Sequence, residues 1–317
     1  LPKNLGMGNR PELPPELALR SFTCREGIQS GLTASRMRAK DLFLPSREIR
    51  VPLGCAQTLL NRVRPYTELG IESYVSHTTA ALIHGIPMPY VHEQPKTIHL
   101  TRPAGTMIPR RKGVIGHKRE LAAGEWMLID GVPVTAPART LLDLAAILEL
   151  DDLVAAADFL ICEHRRNFEE PKPAIVKDSE LAAYVLSKRF LRGLANAREA
   201  MELMRVGADS PPETKLRLVL LRAGLPEFCT NYEIPGGPGE PIVYPDLGCE
   251  EFRVCGEYEG EIHQTTEKQL YDRNRDTRTA ARGWLQVKVF NNDIRRGEDW
   301  VVGLFRQALL RQGWNSR

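Results

Sequence analysis

Near its C-terminal end the 317-residue chain gathers residue types that do hydrolytic chemistry: Glu213, then Asp246, then Glu257 and Glu259, then His263. Hard divalent cations take several oxygen ligands, and Mg²⁺ is typically held by one or two carboxylates plus water and phosphate. A cation so placed lowers the pKa of a bound water and offsets charge on a phosphodiester. Carboxylates gathered without arginine partners repel one another, so such a grouping tends to persist where a cation compensates it. Asp246, Glu257 and Glu259 are therefore the expected ligands of Mg²⁺ or Mn²⁺. His263, whose unperturbed pKa is near neutral, is the expected acid or base. Glu213 is a further catalytic candidate, although Ser210-Pro-Pro-Glu213 also reads as a capping box with a purely structural task.

These residues need elements to position them. PPETKLRLVLLRAG predicts a helix in front of them, and PIVYPDLGC and EFRVCGEYEG predict two neighbouring strands joined by a tight turn. Asp246 then ends the first strand, while Glu257 and Glu259, two apart, share a face at the end of the second. KQLYDRNRDTRTAARG predicts a helix stopped by Gly283, WLQVKVF a buried strand and EDWVVGLFRQALLRQ a closing helix. A small mixed sheet flanked by helices is the economical packing.

Tyr-Pro-Asp246 followed by Glu257-Tyr-Glu259-Gly-Glu-Ile-His263, then Asp272 and Arg273, then Gly283-Trp284-Leu-Gln-Val287, resembles the PD-(D/E)xK nuclease superfamily. It is most similar to the very-short-patch-repair-like group, the domain of unknown function 559. The resemblance spans roughly residues 210–295 and implies a restriction-endonuclease-like fold, a divalent metal on the acids and Arg273 at the DNA. Two departures stand out. The usual lysine, two positions after the second acid, is Glu259 here, and the usual arginine after Gly-Trp-x-Val is missing, with Lys288 nearby. The first departure keeps a rival open, a DNA-binding regulator whose nuclease fold no longer cuts. RNA as a substrate is a third reading, since the motif does not separate it from DNA.

At the other end, residues 1–15 read as a disordered arm rich in Pro, Gly and Asn. Residues 16–55 give a short helical stretch, a second helix TASRMRAKDLF capped by Thr33, and the two-stranded wing LPSREIRVP. That is the order of a winged helix-turn-helix. Arg36, Arg38 and Lys40 on its second helix and Arg47 and Arg50 in its wing are the expected DNA contacts; ordinary surface charge is the alternative. Residues 56–168 form an α+β middle domain, 169–209 a Pro-rich linker with helices, and 210–317 the nuclease-like domain. In SHTTAALIHGI, His77 and His84 are seven apart on one helical face; with no third ligand following, packing or capping is the reading. Ser76-His77 through His84-Gly85, Ile98-His-Leu-Thr, and Gly131-Val-Pro-Val-Thr135 through Asp143-Leu resemble winged-helix antitoxins of the AbiEi type. In such proteins these residues serve fold and DNA or partner binding, so an AbiEi-like antitoxin is the concrete form of the regulator rival.

Composition agrees with an α/β (α+β) protein of about two domains. Hydrophobic residues make up 42%, charged residues 26%, and the formal net charge is +3. No apolar run of about 18 residues is present, so no membrane helix is expected. The N-terminus lacks a signal pattern, and the six cysteines show neither CxxC nor zinc spacing. A cytoplasmic protein with reduced thiols is the expectation. The oligomeric state stays open, a homodimer among the options.

Overall fold

The computed structural model describes residues 11–93, 97–107, 110–164, 170–237, 239–260 and 266–315, and for residues 266–273 only the backbone. The protein is α+β, with two compact units: residues 1–85 with 89–143, and residues 86–88 with 144–317. Among the described residues no helix is long and apolar enough to cross a membrane.

The first unit opens with α1 (Pro15–Ala18), β1 (Phe22–Thr23) and α2 (Cys24–Gln29), a 3₁₀ turn at Arg36–Arg38, then β2 (Leu42–Phe43) and β3 (Ile49–Pro52). Thr23 starts α2 with a capping box, its hydroxyl accepting from Glu26 N while Glu26 returns a bond to Thr23 N. The strands form an antiparallel sheet in the order β1-β3-β2. The expected second helix is corrected to a single 3₁₀ turn, and β1 joins the two expected wing strands as a third. Thr33 Oγ1 accepts from Arg36 N at 3.1 Å, and the Arg36 side chain folds back onto the chain on both sides of the turn. Nothing is left to propagate an α-helix before the wing begins.

The unit continues with α3 (Leu59–Glu68), β4 (Tyr74–Val75), α4 (His77–His84), α5 (Tyr90–Glu93), β5 (Ile98–Arg102), β6 (Val114–Lys118), β7 (Trp126–Ile129), β8 (Val132–Thr135) and α6 (Pro137–Leu144). Five strands make a mixed sheet ordered β6-β5-β4-β8-β7. Its core joins Val75, Ile98, Leu100, Val132 and Val134 to Ile49, Val63 and Ala80. The alternation of apolar residues along β5 and β8 puts these side chains on one face. Gly85 ends α4 at φ 71°, the left-handed position where glycine lacks the Cβ penalty.

The second unit holds α7 (Leu150–Ile161), α8 (Asp178–Ser187), α9 (Leu194–Leu203), α10 (Pro211–Arg222), β9 (Cys229–Thr230), β10 (Leu247–Cys249), β11 (Val254–Glu259), α11 (Thr266–Ala281), β12 (Leu285–Phe290), α12 (Asn291–Arg295) and α13 (Glu298–Arg311). The sheet order is β12-β11-β10-β9, with β10 antiparallel and β12 parallel to β11. Leu216, Leu220, Val254, Val287, Val289, Phe305 and Leu309 fill the core between sheet and helices. Gly256 lets α13 approach, because a Cβ there would lie 2.7 Å from the Phe305 ring. Asp158 of α7, 1% exposed, accepts from Thr214 Oγ1, Arg217 Nη2 and Arg205 N at 2.7–3.1 Å, tying α7 to α10.

Candidate nucleic-acid interface and carboxylate site

Two features of the first unit bear on nucleic acid. The expected winged-helix cations divide into two kinds. Arg36 is 6% exposed, makes a two-pronged bond to Asp41 at 2.8 and 3.0 Å, and donates its Nε to Pro11 O. Arg50 donates to Met37 O at 2.5 Å and to Ile49 O at 2.8 Å. Both guanidiniums hold the turn and the wing, which corrects their expected role as DNA contacts. Arg38, Lys40 and Arg47 are exposed.

The second feature is a cleft of about 600 Å³ between the wing and the β5–β6 connection, into which Arg47, Arg102, Arg110, Arg111 and Lys112 converge beside Tyr66. Arg111 fixes its edge by donating to Arg47 O at 2.6 Å and pairing with Glu48 at 3.0 Å. Arg102 is held by Ser73 Oγ and Met107 O; burial, and then the charge of Arg111, push its pKa below the usual arginine value. Arg47, Arg110 and Lys112 stay exposed. Fixed guanidiniums with exposed cations around them suit a polyanion whose phosphates repeat. Four of these five cations lie outside the winged-helix segment, so a search confined to that segment missed them.

In the second unit the register places Leu247 opposite Gly256, so Asp246, one residue earlier, comes opposite Glu257. Its Oδ2 accepts from Tyr258 N at 2.8 Å. Glu257 is 3% exposed and ion-paired to Arg275 of α11. Its Oε1 accepts no hydrogen bond among the described residues. Burial raises the Glu257 pKa to about 7, with Asp276 and Glu259 adding to the rise and Arg275 and Lys288 opposing it. Lys288, level with Glu257 on β12, donates to Asp276 at 2.6 Å and lies 3.6 Å from Glu259. Burial works against its charge, but the bond to Asp276 and the surrounding carboxylates raise its pKa overall.

This arrangement corrects the expectation of three acids within one cation's reach. Among the described residues Asp246, Glu257 and Glu259 do not form a triplet with mutual distances of 4.8 Å or less. Arg275 and Lys288 engage two of them, and Asp246 is turned onto a backbone amide. Glu213 accepts from Asp209 N at 2.9 Å and from Ser210 Oγ at 2.7 Å, which ties it to the turn before α10, but Ser210 makes no capping bond and the expected capping box does not form. Burial and the charge of Asp246 raise its pKa to about 7. His263 lies outside the described residues, and Arg273 stands on α11 with its side chain outside them.

Among the described residues, the triplets that do converge are His77, His99 and His117 in the first unit, and Cys162, His164 and Asp209 in the second. His84, paired with His77 in the sequence reading, instead sits 2.7 Å from Thr135 O through Nε2.

The AbiEi antitoxin C-terminal domain model matches residues 74–167. Two relatives are uncharacterized proteins of Mycobacterium tuberculosis, from strains CDC 1551 / Oshkosh and ATCC 25618 / H37Rv. Each is 29% identical over 219 residues, which cover 69% of this chain and 74% of the relative. No solved structure matches. The likeness to AbiEi antitoxins therefore rests on the region that carries β4 to α7, and no comparison supports a nuclease.

Proposed function

We propose that the protein is a DNA-binding, antitoxin-like regulator acting in the cytoplasm. The observation that carries this reading is the cleft where Arg47 of the wing meets Arg102, Arg110, Arg111 and Lys112. The AbiEi match over residues 74–167 supports it. In this reading Arg102 and Arg111 are preset anchors for phosphates, while Arg47, Arg110 and Lys112 close on the duplex. The test is fluorescence anisotropy with a labelled DNA duplex at several salt concentrations. Changing Arg47, Arg110 and Lys112 together to Gln should weaken binding and flatten the plot of log affinity against log salt by about 2–3, near 0.9 per lost phosphate contact. Unchanged affinity and slope would remove the cleft from the interface.

A second reading, a metal-dependent DNA endonuclease, is favoured by one observation: Asp246 opposite the buried Glu257, whose Oε1 has no hydrogen bond among the described residues. The residues present fit a divalent ion in charge. Once Glu257 is ionised, Asp246, Glu257, Glu259 and Asp276 exceed Arg275 and Lys288 by two negative charges, so the counter-charges supplied by the fold do not cover all four acids. Asp246 and Glu257 would hold Mg²⁺ or Mn²⁺, which when bound would activate water. Lys288, reaching the same face from the neighbouring strand, would take the place of the lysine that Glu259 replaces. Incubating plasmid DNA with the protein and Mg²⁺, Mn²⁺ or EDTA, beside Asp246→Ala, decides this reading. Wild-type cleavage no higher than that of the variant leaves the regulator alone.

A further inference from the structure

We propose that His77, His99 and His117 form a binding site for a divalent transition-metal ion of the zinc type, lodged where α4 meets β5 and β6. One ring nitrogen of each lies within 4.8 Å of the others. His99 Nδ1 and His117 Nε2 are 3.0 Å apart, close to the spacing of about 3.3 Å that two nitrogens on one tetrahedral zinc adopt at 2.0–2.1 Å from the metal. The His77 and His117 rings are stacked at 3.6 Å between centroids, so the His77 ring must turn out of the stack for its nitrogen to aim at the same point. Imidazole suits Zn²⁺, Ni²⁺, Co²⁺ and Cu²⁺, whereas Mg²⁺ prefers oxygen ligands.

The surroundings fit a cation. Burial, with the fields of neighbouring charges, pushes His77 and His117 down to about pKa 3 and lowers His99. A metal binds an imidazole through the lone pair of its neutral form. Asp143 stands behind the cluster: its Oδ1 accepts from Arg139 at 2.8 Å, and its Oδ2, 3.9 Å from His77 Nδ1, accepts no hydrogen bond among the described residues. His77 Nδ1 is held by Ser76 Oγ at 2.9 Å, so Asp143 acts on the ring through its charge and not through a hydrogen bond. Arg139 also faces Glu125 at 3.6 Å, so it meets two carboxylates. The field of Arg119 reaches His77 as well, but that side chain is exposed and screened by solvent. His77 itself has φ 52°, an uncommon left-handed backbone for a side-chain-bearing residue at the start of a helix. The other triplet lacks this openness, because Lys172 Nζ already lies 3.0 Å from the Asp209 oxygen at its centre.

The full chain, without a histidine tag and stripped with EDTA, is titrated with Co²⁺ while the visible absorption of the bound ion is followed, and then with Zn²⁺ in competition. The expected result is one equivalent bound at this cluster, a higher melting temperature with metal, and an affinity about 100-fold or more lower in His117→Gln and in His99→Gln, since even outer partners of a metal ligand are worth 10–100-fold. His84→Gln and the Cys162→Ser, His164→Gln pair should bind as wild type does. Circular dichroism of the metal-free variants separates loss of a ligand from loss of the fold. If His117→Gln is unfolded, His99→Gln carries the comparison, and if both are, diethyl pyrocarbonate labelling of wild type replaces them, zinc being expected to shield His77, His99 and His117. No Co²⁺ binding by wild type, equal binding by folded histidine variants, labelling unaffected by zinc, or loss of binding only in the Cys162 and His164 pair would overturn the proposal.

Discussion

The carboxylates of β11 and the imidazoles around α4 are both half-buried sets of titratable groups, yet they are balanced differently. Glu257 and Glu259 have Arg275 and Lys288 supplied by the same fold. His77, His99 and His117 face one another, and the nearest arginine is engaged with Asp143 and Glu125. A cluster that carries its own counter-charges can stand without a ligand, and a cation must displace those partners to enter. A cluster of neutral lone pairs can take a cation with no ion pair to break. Side-chain type alone would have ranked the two the other way.

The largest effect expected from breaking this contrast is at Arg275. Arg275→Ala leaves Glu257 buried beside an unpaired charge and should cost about 3 kcal/mol at pH 8, where removal of one partner of a buried pair typically costs 3–5. The cost should shrink toward pH 5, as Glu257 takes up a proton; urea unfolding at both pH values measures it. A loss below 1 kcal/mol at pH 8 would mean that Arg275 is not the partner that balances Glu257.

Next comes the pH dependence of the wild type. The Glu257 pKa rises on folding, from an ordinary 4.5 to about 7, so between these values the native state binds more protons than the unfolded one. Its contribution to stability is full below pH 4.5 and is lost as pH rises through 7, by at most about 3 kcal/mol. Glu257→Gln should flatten that portion of the curve of unfolding free energy against pH. An unchanged curve would show that Glu257 titrates normally.

Lys288→Met should have a smaller effect, about 1 kcal/mol or less, because its partner Asp276 is partly exposed. Thermal unfolding measures it, and a much larger loss would mark Lys288 as the true centre of the acidic face. The smallest effect belongs to the decoy histidine. His84→Gln gives up one contact with Thr135 O, worth about 1 kcal/mol or less. A melting temperature lowered by much more than the roughly 2–4 °C that about 1 kcal/mol produces would make His84 part of the core.

The contrast also explains what could be read in advance. The end of the second unit was legible in outline because its helices are bounded by Pro211 and Gly283 and its apolar runs mark strands, yet β9 and α12 were not expected and Asp246 precedes β10 instead of ending it. The ion pairs were not legible, since Arg275 and Lys288 reach Glu257 and Glu259 from α11 and β12 through a register that a sequence does not print. The histidine cluster is harder still. Its members come from one helix and two parallel strands, with His117 level with Thr101 and thus two residues beyond His99 on the same face. The helical spacing of His77 and His84 pointed at the wrong pair. In the winged-helix segment the basic residues were visible, but which of them were already engaged depended on Asp41, Pro11 and Met37 lying nearby in space.

Gly256 has a consequence for how this chain can vary. A methyl group there would enter the Phe305 ring, and that ring is itself set edge-on against Phe228 at 5.3 Å, so it has little freedom to yield. Positions 256 and 305 are therefore expected to change together in descent: a lineage that acquires alanine at the first should already carry leucine or a smaller residue at the second. The order of the two steps is constrained, because shrinking Phe305 first leaves a tolerable gap, whereas enlarging Gly256 first leaves a collision between β11 and α13.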